Sequence, residues 1–166
     1  PIYPFSKNRS GINIGEGAGL FLMTKEAGPV RLAGVGETSD AHHISAPDPT
    51  GDGAFRSMEM ALNQAGLTPE DIDYLNLHGT ATIQNDLMES KAVFDLFGNN
   101  VPCSSTKPFT GHCLGASGSI EAVLCWMLLQ SHLFRGLPVH QWDGEIDDEI
   151  SPIKLVDNRI SEQCAG

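Results

Sequence analysis

Apolar and polar positions along the chain change period several times, and each change marks an expected element. Gly11 to Gly19 alternates glycine with other residues, and Leu20 to Thr24 continues it as a short apolar run expected to form a buried strand. After the Gly28-Pro29 turn, Val30 to Gly36 is expected as the second strand of a hairpin. From Thr50 to Gly66 the period becomes helical, with Phe55, Met58, Ala61, Leu62 and Ala65 on one face and Gly66 as the stop. Thr68-Pro69-Glu70-Asp71 starts a single helical turn. Ile72 to Leu77 alternates as a strand that delivers His78-Gly79-Thr80-Ala81-Thr82 at its C-terminal end. A helix is expected over Asn85–Phe97, with Leu87, Ala92, Val93, Leu96 and Phe97 inward, and a strand over Val101–Ser104. The helix after Gly118 carries Ile120, Val123, Leu124, Met127 and Leu128 on one face, with Ala122 and Cys125 on its flanks, which predicts burial between layers. A last short strand is expected near Ile153 to Val156.

Strands alternating with helices from Thr50 to Leu133 indicate a layered α/β fold. The 166 residues are of single-domain size, and a chain this long buries roughly 70% of its unfolded surface. No apolar run is long enough for a transmembrane helix. Pro1-Ile2-Tyr3-Pro4-Phe5 has neither a basic region nor an apolar signal core, so a cytoplasmic protein is expected. It also lacks a starting methionine, so the chain is expected to begin inside a longer protein. A net charge of −11 argues against nucleic acid and against an anionic membrane surface as partners. The run Asp143 to Glu149 reads as a solvated acidic loop, because it lacks the spacing of a calcium loop. Cys103, Cys113, Cys125 and Cys164 form no metal-type or redox pair and read as reduced core thiols.

Few stretches remain that carry chemistry. The glycines of Gly15-Glu16-Gly17-Ala18-Gly19 lead into a strand, whereas a dinucleotide-binding turn leads out of one, so close backbone packing explains them better. His42 and His43 lack a third ligand in register and read as a polar loop at the edge of a site; no metal is expected. Two strands end in histidine-bearing loops, one with His78 and one with Lys107 and His112. In α/β sheets ligands bind beyond the carboxyl ends of strands, so these loops are expected to meet. Proton handling and oxyanion stabilisation fit such a set better than metal binding, and a structural role for each histidine stands beside them.

The combined motifs say more than any one of them. Pro4-Phe5 through Arg9-x-Gly11, Gly15-Glu16-Gly17-Ala18-Gly19, Ser39-Asp40-Ala41 through Pro47, His78-Gly79-Thr80-x-Thr82, and Ser105-Thr106-Lys107 through Thr110-Gly111-His112-x-Leu114-Gly115-Ala116-x-Gly118 closely resemble the β-ketoacyl-acyl carrier protein synthases, in their elongating, decarboxylating branch. The resemblance covers nearly the whole chain. It implies the C-terminal half of a thiolase-like fold, layered α/β with a mixed sheet, over residues 1–166 as one domain truncated at both ends. It also implies a decarboxylative Claisen condensation between an acyl thioester and malonyl-carrier protein.

By position, His78 and His112 match the family's active-site histidines, and Lys107 its active-site lysine. Glu121 matches the glutamate paired with that lysine, and a lysine in an apolar setting needs such a counter-charge. Thr80 and Thr82 match residues that bind the phosphopantetheine arm of the acyl carrier protein. Asp86 and Glu89 match acidic positions with a supporting, structural role. No tightly bound cofactor is implied; the partners are acyl carrier protein and, in the full-length protein, a second copy. The family's nucleophilic cysteine lies in the other half, and none of the four cysteines here replaces it, so this chain alone is expected to be inactive and to leave apolar surface uncovered. Ser6 and Ala81 are mild departures from the motifs. A non-catalytic partner subunit of the chain-length-factor kind is the alternative, and a plain α/β binding domain would leave the polar set unexplained.

Overall fold

The computed structural model describes residues 2–130, 133 and 135–163; Cys164 lies outside them. Its centre is a sheet of three short parallel strands, β1 (Leu75–Asn76), β2 (Pro102–Ser104) and β3 (Lys154–Leu155), in that spatial order. Leu75 pairs with Cys103, and Cys103 with Leu155. Among the described residues antiparallel pairing is confined to one isolated bridge between Ser6 and Ile146. Parallel neighbours need crossover connections, and α2 (Ile83–Phe97) supplies the one between β1 and β2. It begins two residues earlier than its sequence pattern indicates. Ala92, Val93 and Phe97 are its buried face, and Gly98 ends it. α1 (Asp52–Ala65) packs against α2 and stops at Gly66 in the left-handed conformation. Thr68 and Asp71 close a capping box over the single turn at Pro69–Asp71. The core gathers Phe5, Leu62, Leu77, Val93, Phe97 and Val101 around Cys103.

Two expectations fail. The hairpin of Leu20–Thr24 with Val30–Gly36 is not formed; neither segment belongs to a strand, and Leu20 and Leu22 are 95% and 92% exposed. The backbone here is pressed against helices instead. A Cβ on Gly19 would come within 2.8 Å of the Ser119 carbonyl in α4 (Ser117–Leu128), and one on Gly34 within 2.1 Å of the Ala61 carbonyl in α1. The glycine run is therefore a close-packing device. The second failure is α4, whose apolar residues are half-buried at most; Ser117 alone is fully buried. It has backbone on one side and no second layer among the described residues on the other.

The glycine run also borders the loop carrying His112. His112 donates its N–H to the Asn13 carbonyl at 2.7 Å, and Gly15 donates to the His112 carbonyl at 3.1 Å. Gly111, at φ 71°, lies so near that a Cβ would be 2.8 Å from the Gly15 nitrogen. A Cβ on Gly15 would stand 2.1 Å from the Thr110 carbonyl oxygen.

The tail fastens the opposite side. His140, 3% exposed, accepts the Ser105 N–H at Nδ1 (3.2 Å), and its Nε2 lies 3.0 Å from the Pro4 carbonyl. An N–H at Ser105 can only donate, so the neutral ring carries its proton on Nε2 and gives it to Pro4. Burial pushes this imidazole down to about 4. Beside it, Phe5 (φ 63°) donates its N–H to Asp86 Oδ2 at 2.8 Å. Arg9 reaches from the Ser6 carbonyl to Asp147 and stands 4.0 Å from Asp86.

Two outcomes are expected. Gly15→Ala should lower stability by about 1–3 kcal/mol, a fall in Tm of roughly 3–10 °C on thermal unfolding, because neither overlapping backbone can yield. His140 titrates near 4 when folded and near its ordinary ~6.5 when unfolded, so between these values the unfolded chain binds more protons. Its contribution is complete above the unfolded pKa and declines as pH falls toward the folded one. Urea denaturation should show wild type losing about 2 kcal/mol relative to His140→Leu between pH 7.5 and pH 5. Glu89, raised to about 7, works in the opposite direction in both proteins and cancels from that difference. Equal losses in the two proteins would contradict the role of His140.

Candidate active site

β1 and β2 are parallel neighbours, so the loops leaving their C-terminal ends emerge side by side. The first carries His78 and the second leads into α3 (Lys107–Thr110). Ser105 ties the loops together: its hydroxyl donates to the Gly79 carbonyl at 2.8 Å and accepts the Lys107 N–H at 3.3 Å. Glu89 on α2 secures the first loop, accepting the N–H of His78 at 2.5 Å and of Gly79 at 2.7 Å. Burial raises the Glu89 carboxyl to about 7 against these hydrogen bonds. Asp86 accepts from Phe5 and Asn85, and burial raises its carboxyl as well. Both acids therefore hold backbone.

Lys107 is 1% exposed, an extreme position for an ammonium. It reaches two partners: Glu121 on α4, in direct ionic contact, and His78 Nδ1 at 3.3 Å. The Lys107–Glu121 pair expected from the sequence is formed. His112 comes from the other side of α3, its ring edge-on to His78 with centroids 5.1 Å apart and planes at 86°. Thr80 and Thr82 stand on the same loop as His78, their hydroxyl oxygens 2.9 Å apart. The set anticipated from sequence, His78, His112, Lys107 and Glu121, is thus one cluster, flanked by Thr80 and Thr82 and supported by Glu89.

The hydrogen bonds decide which nitrogens face outward. His112 Nδ1 receives the Leu114 N–H at 3.2 Å and lies 3.0 Å from the Ser117 hydroxyl. His78 Nδ1 faces the Lys107 ammonium, another obligate donor. Both neutral rings therefore carry their proton on Nε2 and have it free to donate. Burial among its neighbours, then the charges of Lys107 and His112, hold His78 down to about 4, although the residue as a whole stays exposed. Burial and Lys107 lower His112 too, against a smaller opposing pull from Glu121. Two neutral N–H donors beside a buried cation can receive a developing oxyanion.

Sequence reasoning did not single out Ser117 or His140. Ser117 occupies a position left open within the Leu114–Gly118 motif; its only signal is a hydroxyl at a helix start five residues after a histidine. His140 stands alone in the tail, with no pattern around it. His42 lines a separate cavity of about 210 Å³ with Pro47, Leu87 and Met88. Cys113 lies under Gly15 and Gly17, with Sγ 3.7 Å from the Thr110 carbonyl. Among the described residues no cluster of three or more metal-ligating side chains occurs, and no helix is long and apolar enough to cross a membrane.

Comparison with known proteins identifies the family. Residues 30–136 match the β-ketoacyl synthase C-terminal domain. The chain is 44% identical over 170 aligned residues to a 3-oxoacyl-[acyl-carrier-protein] synthase 2 of Staphylococcus aureus, covering 95% of this chain and 42% of that protein. A synthase of the same name from Synechocystis is 43% identical over 76% of this chain and 33% of its own length. Among solved structures, a ketosynthase in complex with its chain length factor from Xenorhabdus doucetiae superposes with a TM-score of 0.84 at 46% identity, over 93% of this chain and 39% of that one. A β-ketoacyl synthase from Burkholderia phymatum gives 0.78 at 28% identity, over 94% and 39%. The chain spans about two fifths of the length of the first of these relatives. Its fold is that of the thiolase-like ketosynthases, and the chain belongs to the β-ketoacyl synthase family, as a C-terminal domain.

Proposed function

We propose that this chain supplies the enolate-stabilising part of a 3-oxoacyl-acyl carrier protein synthase, an acyltransferase that extends acyl chains in fatty-acid or related synthesis. The observation that carries the reading is the pair of neutral imidazoles whose Nε2–H groups are free while both Nδ1 atoms are engaged. The malonyl thioester oxygen takes those two hydrogen bonds. The bond between the malonyl C2 and its carboxylate then breaks, carbon dioxide leaves, and the electron pair becomes an enolate whose charge gathers on that oxygen. The enolate carbon attacks an acyl thioester held on a cysteine, forming the new carbon–carbon bond and returning the thiolate.

Lys107 touches neither reacting carbon in this scheme. It keeps His78 in the donating tautomer and biases both rings against protonation, with Glu121 opposing it weakly at His112. In this reading Thr80 and Thr82 bind the phosphopantetheine arm, which makes acyl carrier protein the working partner, and the whole protein acts as a homodimer in the cytoplasm. The acyl-bearing cysteine is none of Cys103, Cys113 or Cys125. Burial pushes the Cys103 and Cys125 thiols up, and Cys113 faces carbonyl oxygens with no base beside it. A chain-length-factor-like subunit fits less well, because catalysis is the use that explains His78, His112 and Lys107 being retained together.

The test uses the full-length protein and malonyl-carrier protein. His112→Ala should lower decarboxylation at least ~10²–10³-fold, the usual value of an oxyanion donor, and near-normal release of carbon dioxide would refute the assignment. Because both rings act neutral, activity should persist below the ordinary histidine pKa of about 6.5, with its acid limb set by whichever of the two lowered rings protonates first. The 166-residue chain alone, given acyl- and malonyl-carrier protein, should form no β-ketoacyl product.

A further inference from the structure

Ser117 is the first residue of α4 and is 7% exposed. Its hydroxyl lies 3.0 Å from His112 Nδ1, nearer than the Leu114 N–H at 3.2 Å. Leu114 brings that N–H to the ring from a left-handed backbone at φ 50°. Since an amide N–H only donates, Nδ1 is an acceptor, and the Ser117 hydroxyl beside it has to donate as well. Glu121 stands one helical turn further along the same face, in contact with Lys107. One face of α4 therefore holds both the ring of His112 and the ammonium of Lys107.

We propose that Ser117 is a positioning residue for His112: its hydroxyl donates to Nδ1, fixes the ring as the Nε2–H tautomer and keeps a second proton off it. A lone pair already receiving two donors is a weaker base, and protonating it would set N–H against the Leu114 N–H and cost the hydrogen bond that the Ser117 hydroxyl donates, which would have to turn and accept instead. The other charged and titratable groups facing this ring are His78, edge-on, Lys107, which disfavours protonation, and Glu121, which favours it. Glu121 is already engaged by Lys107, and at Nδ1 itself the Ser117 hydroxyl acts beside the Leu114 N–H as the side-chain control on the basicity of the ring. The catalytic meaning of this control rests on the proposed decarboxylation, whereas the control itself can be measured without any reaction.

The decisive measurement is an NMR titration of His112 in the full-length protein. In wild type near neutral pH, the ring nitrogens should report a bare, hydrogen-bonded Nδ1 and a protonated Nε2. A protonated Nδ1 would overturn the proposal with no variant made. In Ser117→Ala the pKa of His112 should rise by about half to one unit, the usual value of one such hydrogen bond, and Ser117→Thr should leave it near wild type. An unchanged or lower pKa in the alanine variant overturns the proposal. In the full-length enzyme, Ser117→Ala should reduce kcat for malonyl decarboxylation about 3–10-fold at pH 7 with KM little changed, and move the acid limb upward with the His112 pKa. A fall in kcat with a stationary limb would mark a merely structural role. Absence of decarboxylation in wild type would remove the functional reading, and the titration would still decide the role of Ser117.

Discussion

A lysine side chain withdrawn from water is the constraint on which this molecule depends. Lys107 has a stem with no exposure, and its ammonium meets one carboxylate and one imidazole nitrogen. Removing an ammonium from water costs several kcal/mol unless a counter-charge and hydrogen bonds replace the solvent. Glu121 is the counter-charge, and that requirement sets where α4 must lie relative to α3. His78 is the hydrogen-bond partner, and that sets where the loop after β1 must lie relative to the turn after β2. The parallel pairing of β1 with β2 satisfies both conditions, because it sends the two loops out at one edge of the sheet. An arrangement that looks catalytic is, energetically, also the way this cation is kept inside the fold.

Several elements were legible in the sequence because local signals and tertiary packing agree there. β2, the helical turn at Pro69–Asp71, the end of α1 at Gly66 and the end of α2 at Gly98 fall where hydrophobic period and stop residues place them. His78, His112, Lys107 and Glu121 were identifiable through their motifs, and their assembly followed from strands that end in polar loops. Leu20–Thr24 and Val30–Gly36 were misjudged for a physical reason. An apolar run bounded by glycines signals an extended backbone but does not name its partner, and here the partners are the backbones of α4 and α1. His140 and Ser117 were invisible for another reason: each acts through one or two hydrogen bonds to a distant or irregular segment, and no periodicity records such contacts.

The polar supports divide into two kinds. Glu89, Asp86 and His140 hold backbone N–H groups, so they fix the course of loops and leave the side chains on them unengaged. Lys107, Ser117 and the Leu114 amide address ring nitrogens, so they set which atom carries a proton. This division explains how three histidines with lowered basicity serve different ends. His140 spends both ring nitrogens on backbone and is saturated. His78 and His112 each commit one nitrogen inward and keep one outward.

The contact between Gly15 and Gly111 bears on how such a site can change. Where the glycine run passes the His112 loop, main chain meets main chain with no room for a side chain between them. That edge has nothing to mutate: every residue but glycine pushes the loop away, and none can adjust it. Variation in what the site accepts must therefore enter from its other borders, while this one acts as a fixed hinge-pin against which His112 is always measured.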